Sequence, residues 1–190
     1  MKDEEISDLH SQLWRLYCDL RSDKKQKFDR IIPFNELLFD RWEKAKFAKT
    51  KNNSSIYDNS YIFGKVTIGK HTWIGPYTIL DGSGGKLAIG DFCSISSGVQ
   101  IYTHNTVSWA LTGGKSEYEK KSVRIGDNCY VGPNSIISMG TSIGKCSVIG
   151  ALSFVNSKIP PYSIVLGSPA KIVGKVIIKN KKVEFEYFKK

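Results

Sequence analysis

The chain has 190 residues and a formal net charge of +10, from 28 Lys and Arg against 18 Asp and Glu. A hydrophobic fraction of 41% and 17 glycines exclude a wholly disordered or collagen-like chain, and the length suits one domain with a small appendage. The basic balance favours a polyanionic partner, such as nucleic acid, an anionic lipid or a phosphorylated cofactor. No basic helix, zinc finger or RNA-binding aromatic motif accompanies the charge, so nucleic acid is not expected.

Neither a membrane span nor a secretory signal is predicted. No stretch approaches about 20 consecutive apolar residues, and the acidic residues 1–5 are not followed by an apolar segment. The expected location is the cytoplasm, where cysteines stay reduced. None of the four cysteines belongs to a Cys-x-x-Cys pair or a Cys/His cluster, so no metal is expected: Cys18, Cys93, Cys129 and Cys146.

Helices are predicted in residues 1–52. Apolar positions within residues 4–20 follow helical spacing and predict an amphipathic helix. After Pro33, Asn35 can cap a second helix that runs to about Phe47, and residues 24–29 can add a short helical turn. We expect residues 1–52 to form a helical cap over the open end of the β-structure that follows, because its strand edges would otherwise be exposed.

Aliphatic residues recur every six positions through most of the chain. A period of six fits a triangular coil with three short strands per turn, in which each inward side chain stacks on its counterpart 18 residues away. The spacing predicts three stacks. They are Ile62, Leu80, Ile101, Ile137 and Val155 on the first face; Ile68, Ile89, Ile125 and Ile143 on the second; and Ile56, Ile74, Ile95, Val131 and Ile149 on the third. Cys93 and Cys129 stand where other repeats have Ser, Thr or Val, which predicts a packing role.

Two segments depart from the period of six. Residues 81–87 contain a three-residue insertion, and residues 102–124 are predicted to leave the coil as one long loop, a feature that is usually functional or disordered. After Val155 the six-residue pattern dissolves, and a last strand at 163–166 and a turn at 167–171 are expected. The β-helix domain is assigned to residues 53–173. In the basic extension, residues 174–190, the apolar alternation predicts a hairpin at Asn180 and Lys181, with a short helix as the alternative.

The repeats Ile-Gly-Asp-Asn-Cys-Tyr (125–130) and Ile-Gly-Lys-Cys-Ser-Val (143–148), and the segment Gly-Ser-Pro-Ala-Lys (167–171), resemble the left-handed β-helix hexapeptide acyltransferases. The resemblance covers residues 56–175 and is greatest to the sugar and xenobiotic O-acetyltransferase branch. It implies a mainly β fold, a left-handed parallel β-helix, and a homotrimer with active sites between adjacent subunits. It also implies acetyl-CoA as the acyl donor, bound by Gly132, Ser138, Gly150 and Ala151 along the pantetheine and by Lys158 and Lys171 near the phosphates.

Acyl transfer from a thioester to a hydroxyl needs a base to accept the hydroxyl proton. His10 falls in the first predicted helix and His71 on a regular wall of the coil, whereas His104 opens the long loop three residues after the inward-facing Ile101. The family's catalytic histidine lies in this loop, so the resemblance puts the base at His104. Because Leu80 and Ile101 are predicted to stack, Asp81 lies beneath Tyr102 and is a candidate to orient the imidazole. A simple turn role for Asp81, with Glu117 or Glu119 orienting the imidazole, is the alternative.

The long loop supplies candidate acceptor-binding residues: Tyr102, Asn105, Trp109 and Lys115. Trp109 could stack on a sugar ring, or could simply anchor the loop. In the family the histidine lies about two residues further on, and an Asn stands where this chain has Pro76 or Tyr77, so the acceptor contacts can differ. We expect O-acetylation of a carbohydrate, such as a cell-envelope polysaccharide sugar or its precursor. The alternatives are N-acetylation of a nucleotide-linked amino sugar and a non-catalytic β-helix binding protein.

Overall fold

The computed structural model describes residues 3–189, so Met1, Lys2 and Lys190 lie outside the described residues. Helices α1 (Asp3–Phe28), α2 (Phe34–Leu38) and α3 (Arg41–Phe47) precede the strands, and α4 (Val107–Leu111) lies in the long loop. The strands are β1 (Ser55–Ile56), β2 (Tyr61–Ile68), β3 (Trp73–Ile74), β4 (Ile79–Ile89), β5 (Ser94–Ile95), β6 (Gln100–Tyr102), β7 (His104–Asn105), β8 (Glu119–Lys120), β9 (Val123–Ile125), β10 (Tyr130–Val131), β11 (Ile136–Ile137), β12 (Ser142–Ile143), β13 (Val148–Ile149), β14 (Phe154–Val155), β15 (Lys158–Ile159), β16 (Ser163–Leu166), β17 (Lys171–Lys179) and β18 (Lys182–Tyr187).

Parallel ladders of short strands wind these elements into a β-helix, and the observed register reproduces all three predicted stacks. On the first face Leu80 pairs with Ile62 and Ile101. On the second face Ile125 pairs with Ile89 and Ile143, and the third face follows the same rule. The stacked side chains are buried except for Ile62, which is half-buried, and each buried Leu or Ile contributes about 1.5–3 kcal/mol relative to exposure. The prediction of a mainly β, hexapeptide-repeat parallel β-helix is confirmed.

Small polar residues stand two positions before many of the inward aliphatic residues, and several of them join successive coils by hydrogen bonds. Ser60 Oγ donates to the Gly75 carbonyl at 2.9 Å, and Ser135 Oγ donates to the Gly150 carbonyl at 2.8 Å. Cys93 and Cys129 do the same through sulfur, to the carbonyls of Gly126 at 3.1 Å and Gly144 at 3.2 Å. Both cysteines are buried, so the structure bears out their predicted packing position.

The amino-terminal helices differ from the prediction in their limits. α1 is one continuous helix, because residues 21–28 contain good helix formers and an i,i+4 ion pair between Asp23 and Lys27 at 2.7 Å. The second predicted helix is divided at Phe39 and Asp40 into α2 and α3. Asn35 lies inside α2 and does not cap it, since Pro33 occupies the N-cap position.

The first coil is covered by α3 rather than by α1. Ala45 of α3 is buried against the aliphatic core, and Lys44 Nζ donates to the Ser60 carbonyl at 2.7 Å. Burial lowers the pKa of Lys44, and the nearby Asp58 partly offsets this. The apolar side chains Ile6, Leu9 and Leu13 of α1 are each 47% exposed. Within residues 3–189, no helix has the length and apolar character needed to cross a membrane.

The β-helix continues beyond Val155, where the six-residue pattern was expected to dissolve, and the strand predicted at 163–166 is β16. Ile159 stacks on Ile143 and Val165 stacks on Ile149. The period of six did not predict this extension, because the step from Val155 to Ile159 is four residues instead of six. β17 and β18 then form an antiparallel hairpin on β16. The hairpin prediction is confirmed: Asn180 and Lys181 both have positive φ, +49° and +63°, as a two-residue type I′ turn requires.

Candidate active site

His104 lies at the corner between the first and second faces, where residues 103–122 leave the coil. One coil below, the chain does not turn sharply, because β4 runs through the corner as a continuous strand that contains the three-residue insertion. One coil above, Ser138 and Met139 follow the inward Ile137 at the same place. We call this region the His104 corner, residues 81–86, 102–105 and 138–140.

A carboxylate and an imidazole face each other at this corner. Asp81 Oδ2 lies 3.4 Å from His104 Nδ1. The Asp81 side chain is 10% exposed and the His104 side chain 27% exposed, so the acid is enclosed while the imidazole reaches solvent. The other carboxylate oxygen, Asp81 Oδ1, accepts hydrogen bonds from the Ser83 backbone N–H at 2.8 Å and from Ser83 Oγ at 2.5 Å. Ser83 therefore fixes the carboxylate with its free oxygen towards the imidazole.

Thr103 and Gly84 hold the backbone of His104 against the coil below. Thr103 Oγ1 donates to the Asp81 carbonyl at 2.8 Å and accepts from the Gly84 N–H at 3.0 Å. A Cβ atom added at Gly84 would lie 2.5 Å from His104 Cβ and 2.6 Å from the Thr103 carbonyl oxygen. Only glycine allows this close approach. The sequence reasoning did not single out Ser83, Gly84 or Thr103, although the register of the insertion below residues 102–104 would have indicated them.

The long loop folds back over His104. β7, which contains His104, pairs with β8 in an antiparallel ladder. The Tyr118 ring stacks on the His104 ring, with centroids 6.4 Å apart and planes 25° apart. Trp109 packs edge-on against Tyr118 at 5.6 Å and keeps 42% of its surface exposed. Trp109 is therefore anchored on Tyr118 with part of its ring exposed. Tyr118 is the aromatic side chain next to His104, and sequence reasoning did not single it out.

The other predicted acceptor-binding residues differ in how far their polar groups are already engaged by the protein. Tyr102 donates from its hydroxyl to Gln100 Oε1 at 2.8 Å, and burial together with the Asp81 carboxylate raises the pKa of Tyr102. Asn105 Oδ1 accepts from the Val107 N–H at 3.0 Å, which occupies part of its amide. Lys115 is exposed and forms no ion pair within the described residues.

Glu117 and Glu119 were the alternative partners for the imidazole. Both are exposed, and neither forms an ion pair with His104 in the part of the chain that the structure describes. Asp81 is the carboxylate that faces His104. Across residues 3–189, no group of three or more His, Cys, Asp or Glu side chains is arranged to hold a metal ion.

The predicted donor-binding residues divide between different parts of the coil. Gly132, Gly150 and Ala151 follow the third face, where a Cβ at Gly132 would lie 2.5 Å from the Ala151 nitrogen. Lys171 joins them, because it pairs with Leu166 next to Gly150. We call this region the third-face corner, residues 132–134, 150–152 and 166–171. The remaining two predicted residues lie elsewhere: Ser138 at the His104 corner, and Lys158 on the second face beside Ser142.

Comparisons with known proteins find hexapeptide-repeat proteins and acetyltransferases. Residues 122–157 match the family model of the hexapeptide repeat of succinyl-transferase. The "Probable acetyltransferase Rv3034c" of Mycobacterium tuberculosis is 31% identical over 137 residues, 72% of this chain and 42% of that protein. The galactoside O-acetyltransferase of Escherichia coli is 25% identical over 143 residues, 65% of this chain and 70% of that protein. The chain thus spans less than half the length of the mycobacterial relative.

A solved structure resembles the chain over nearly its whole length. The hexapeptide-repeat acetyltransferase VCA0836 of Vibrio cholerae matches 90% of this chain and 92% of its own, with a TM-score of 0.60 and 26% identity. The same Vibrio protein has also been solved in complex with acetyl coenzyme A, and that structure matches with a TM-score of 0.52 and 24% identity.

Proposed function

Because the chain belongs to the hexapeptide-repeat acyltransferase family, we propose that it transfers an acetyl group from acetyl-CoA to a hydroxyl of a carbohydrate, with His104 as general base. The observation that carries the proposal is the Asp81–His104 pair, with its 3.4 Å separation, at the root of the long loop. The E. coli relative, an O-acetyltransferase of galactosides, supports the acceptor class, and the acetyl-CoA complex of the Vibrio protein supports the donor.

In the proposed reaction, each nitrogen of the imidazole has a separate task. Nδ1 faces the Asp81 carboxylate, so Nε2 is the nitrogen available to the acceptor. His104 accepts the hydroxyl proton at Nε2 as the oxygen attacks the thioester carbonyl, and it returns that proton to the sulfur when the carbon–sulfur bond breaks. The Asp81 carboxylate stabilises the imidazolium between these two transfers and keeps the proton on Nδ1 in the neutral ring.

Ser83 makes Asp81 suitable for this task. If the Asp81 carboxylate rotated to bind another hydrogen-bond donor, it would no longer orient the imidazole. Ser83 supplies two hydrogen bonds to Asp81 Oδ1, through its backbone N–H and its hydroxyl, and leaves Oδ2 for His104. In this proposal, Asp81 serves both the turn of the insertion and the orientation of the base.

The aromatic side chains beside His104 favour a ring-shaped polar acceptor. Trp109 is partly exposed and is held by Tyr118, so it can offer its face to a sugar ring at little entropic cost. Lys115 is free to bind acceptor oxygens, whereas Asn105 is partly engaged with the backbone of Val107. We propose Trp109 and Tyr118 as the main acceptor contacts, with Tyr102, Asn105 and Lys115 in supporting roles.

A homotrimer would complete this site. The His104 corner and the third-face corner belong to different corners of one triangular coil, so a single chain does not bring the base to most of the proposed donor-binding residues. In the proposed assembly, the third-face corner of one subunit faces the His104 corner of the next. Gly132, Gly150 and Ala151 then line the pantetheine, and Lys171 approaches the phosphates as a point charge. Ser138 contributes from the His104 side.

The proposal is tested by thiol release from acetyl-CoA with a panel of neutral sugars, amino sugars and nucleotide sugars, followed by NMR of the product. We expect release to depend on a sugar and the product to carry an O-acetyl group. An N-acetylated product would show that the acceptor group is an amine rather than a hydroxyl, and it would weaken the case for His104 as a general base. Binding of acetyl-CoA by calorimetry without transfer to any acceptor would contradict the enzymatic proposal and favour a binding protein.

A further inference from the structure

A basic groove runs along the second face next to the His104 corner. Its volume is about 520 Å³. The outward side chains of Ala88, Arg124 and Ser142 stand in register on β4, β9 and β12 and form its floor, and the small Ala88 leaves space beside Arg124. Lys86 and Ser122 line one side of the groove. We call this feature the second-face groove.

The groove and the imidazole are joined by a short set of backbone contacts. The Thr103 carbonyl, next to His104, accepts from the Lys121 N–H at 2.9 Å. Ser122 follows in the chain, and its hydroxyl accepts from the Lys86 N–H at 3.1 Å. The segment that returns from the loop over His104 therefore forms the near wall of the groove. A molecule with one group at His104 can place another in the groove without leaving the surface.

The cations of the groove are not neutralised by the protein. The Lys86 ammonium and the Arg124 guanidinium form no ion pair and no hydrogen bond with another residue between positions 3 and 189. Lys121 stands nearby, because its side chain is the neighbour of Gly140 on the rim. One carboxylate, Asp127, also lines the groove, and its Oδ1 accepts from the Asp91 N–H at 2.8 Å. Three cations against one engaged carboxylate leave a net positive site.

We propose that the second-face groove binds an anionic group, a phosphate or a carboxylate, carried by the carbohydrate acceptor. This inference rests on the proposed function, since it assumes that the acceptor hydroxyl lies at His104. Arg124 provides a planar fork that can bind either anion through two hydrogen bonds, and Lys86 adds a point charge.

The groove suits the acceptor better than it suits the donor. In acetyl-CoA the pantetheine arm separates the thioester from the diphosphate. The second-face groove begins at Ser122, next to the Lys121 N–H that bonds the Thr103 carbonyl, and Thr103 precedes His104. A donor with its thioester at His104 would carry its phosphates beyond a groove that begins so near. Four of the six residues proposed for the donor, Gly132, Gly150, Ala151 and Lys171, lie at the third-face corner, on another corner of the coil. Ser138 lies at the His104 corner, and Lys158 lies on the second face beside Ser142. In a sugar acceptor, in contrast, the reacting hydroxyl and an anionic substituent lie close together.

The test compares the double variant Lys86→Gln/Arg124→Gln with the control Lys175→Gln/Lys179→Gln, which removes the same charge from the exposed hairpin. Thiol release is measured with galactose as the neutral acceptor, galactose 1-phosphate and UDP-galactose as phosphate acceptors, and galacturonate as the carboxylate acceptor. For the anionic acceptors that the wild type uses, we expect KM to rise about tenfold or more in the groove variant only. The KM for galactose and for acetyl-CoA should stay the same.

Two results would overturn the inference while leaving the acetyltransferase proposal intact: equal KM values for anionic acceptors in both variants, or a rise in KM for acetyl-CoA alone. The two anions are distinguished by which acceptors show the rise in KM in the groove variant: galactose 1-phosphate and UDP-galactose for phosphate, or galacturonate for carboxylate. If the wild type acetylates no acceptor, the proposed function fails, and the groove is tested by calorimetry with inorganic pyrophosphate. Binding that is lost in the groove variant supports an anion site, and unchanged binding rejects it.

Discussion

Asp81 and His104 lie in successive coils of the β-helix, and their side chains meet at 3.4 Å. Asp81 pairs with Tyr102, two positions before His104, at the corner where both the insertion and the long loop begin. The irregular parts of the repeat therefore meet at one place. The insertion supplies Ser83, which bonds the Asp81 carboxylate, and Gly84, which lies against the backbone of Thr103 and His104. The long loop begins with His104, so the two breaks in the period of six build the candidate site together.

Replacing Asp81 with Asn should lower kcat by about 10²-fold to 10⁴-fold, because the amide cannot stabilise the protonated imidazole and can hold the neutral ring in the wrong tautomer. The KM for acetyl-CoA and the melting temperature should change little. Steady-state kinetics and a thermal melt check this. A loss of stability with normal kcat in the folded fraction would assign Asp81 to the turn alone.

Ser83→Ala should give a smaller loss of kcat than Asp81→Asn, since it removes the hydroxyl hydrogen bond to Asp81 and keeps the backbone N–H bond. Ser83→Thr, which restores a hydroxyl, should recover part of the rate. The comparison is made at saturating acetyl-CoA with the acceptor found in the panel. If alanine and threonine behave alike, the Ser83 hydroxyl does not position the carboxylate.

Gly84→Ala should destabilise the fold by about 1–3 kcal/mol, because the added methyl group would overlap His104 Cβ and the Thr103 carbonyl. Activity should fall further than stability explains, since the displaced backbone carries His104. Gly113→Ala is the control: its φ of +61° makes the substitution strained, but nothing lies within 4 Å of the new atom. Equal activity losses in the two variants would contradict the close approach at Gly84.

Tyr118→Ala should raise the KM of the acceptor several-fold, because it removes the ring that stacks on His104 and supports Trp109. Tyr118→Phe keeps both ring contacts and should behave like the wild type. The KM for acetyl-CoA serves as the internal reference and should not move in either variant. A Phe variant as impaired as the Ala variant would transfer the role from the ring to the hydroxyl.

The thiols offer a test of the packing between coils. A side-chain hydrogen bond with the Cys93 thiol, together with burial, raises the pKa of Cys129. Cys18 is exposed, whereas Cys93 and Cys129 are buried. With a thiol-reactive dye, Cys18 should react quickly in the native protein, and Cys93 and Cys129 should react only after denaturation. Rapid modification of Cys129 in the folded state would show that the coils do not pack as described.

The period of six was sufficient to predict the β-helix because each coil contacts only its neighbours. Leu80 pairs with Ile101 because the chain between them has one full turn plus the insertion, and arithmetic alone gives that result. The ends of the chain resist the same reasoning. Ile159 continues the core after a shortened step, and α1 extends through a stretch without apolar periodicity, because local helix propensity decides its length.

Less of the site could be predicted from the sequence. His104 and Asp81 follow from the repeat and the family resemblance, but Tyr118 does not, because its place depends on how the loop folds back between β7 and β8. The predicted set Gly132, Ser138, Gly150, Ala151, Lys158 and Lys171 combined residues from different sides of the coil. Sequence spacing gave their order along the chain, while the corner on which each one lies depends on counting positions within the coil.

The most direct test of the account is the turnover number for acetyl transfer in His104→Ala compared with His71→Ala. His71 is exposed and stacks on Phe92 at 4.7 Å, away from the His104 corner, so it controls for the loss of an imidazole. We expect His104→Ala to lose about 100-fold or more of kcat, as for removal of a general base, and His71→Ala to keep wild-type activity. Near-normal turnover by a folded His104→Ala protein would contradict the central claim.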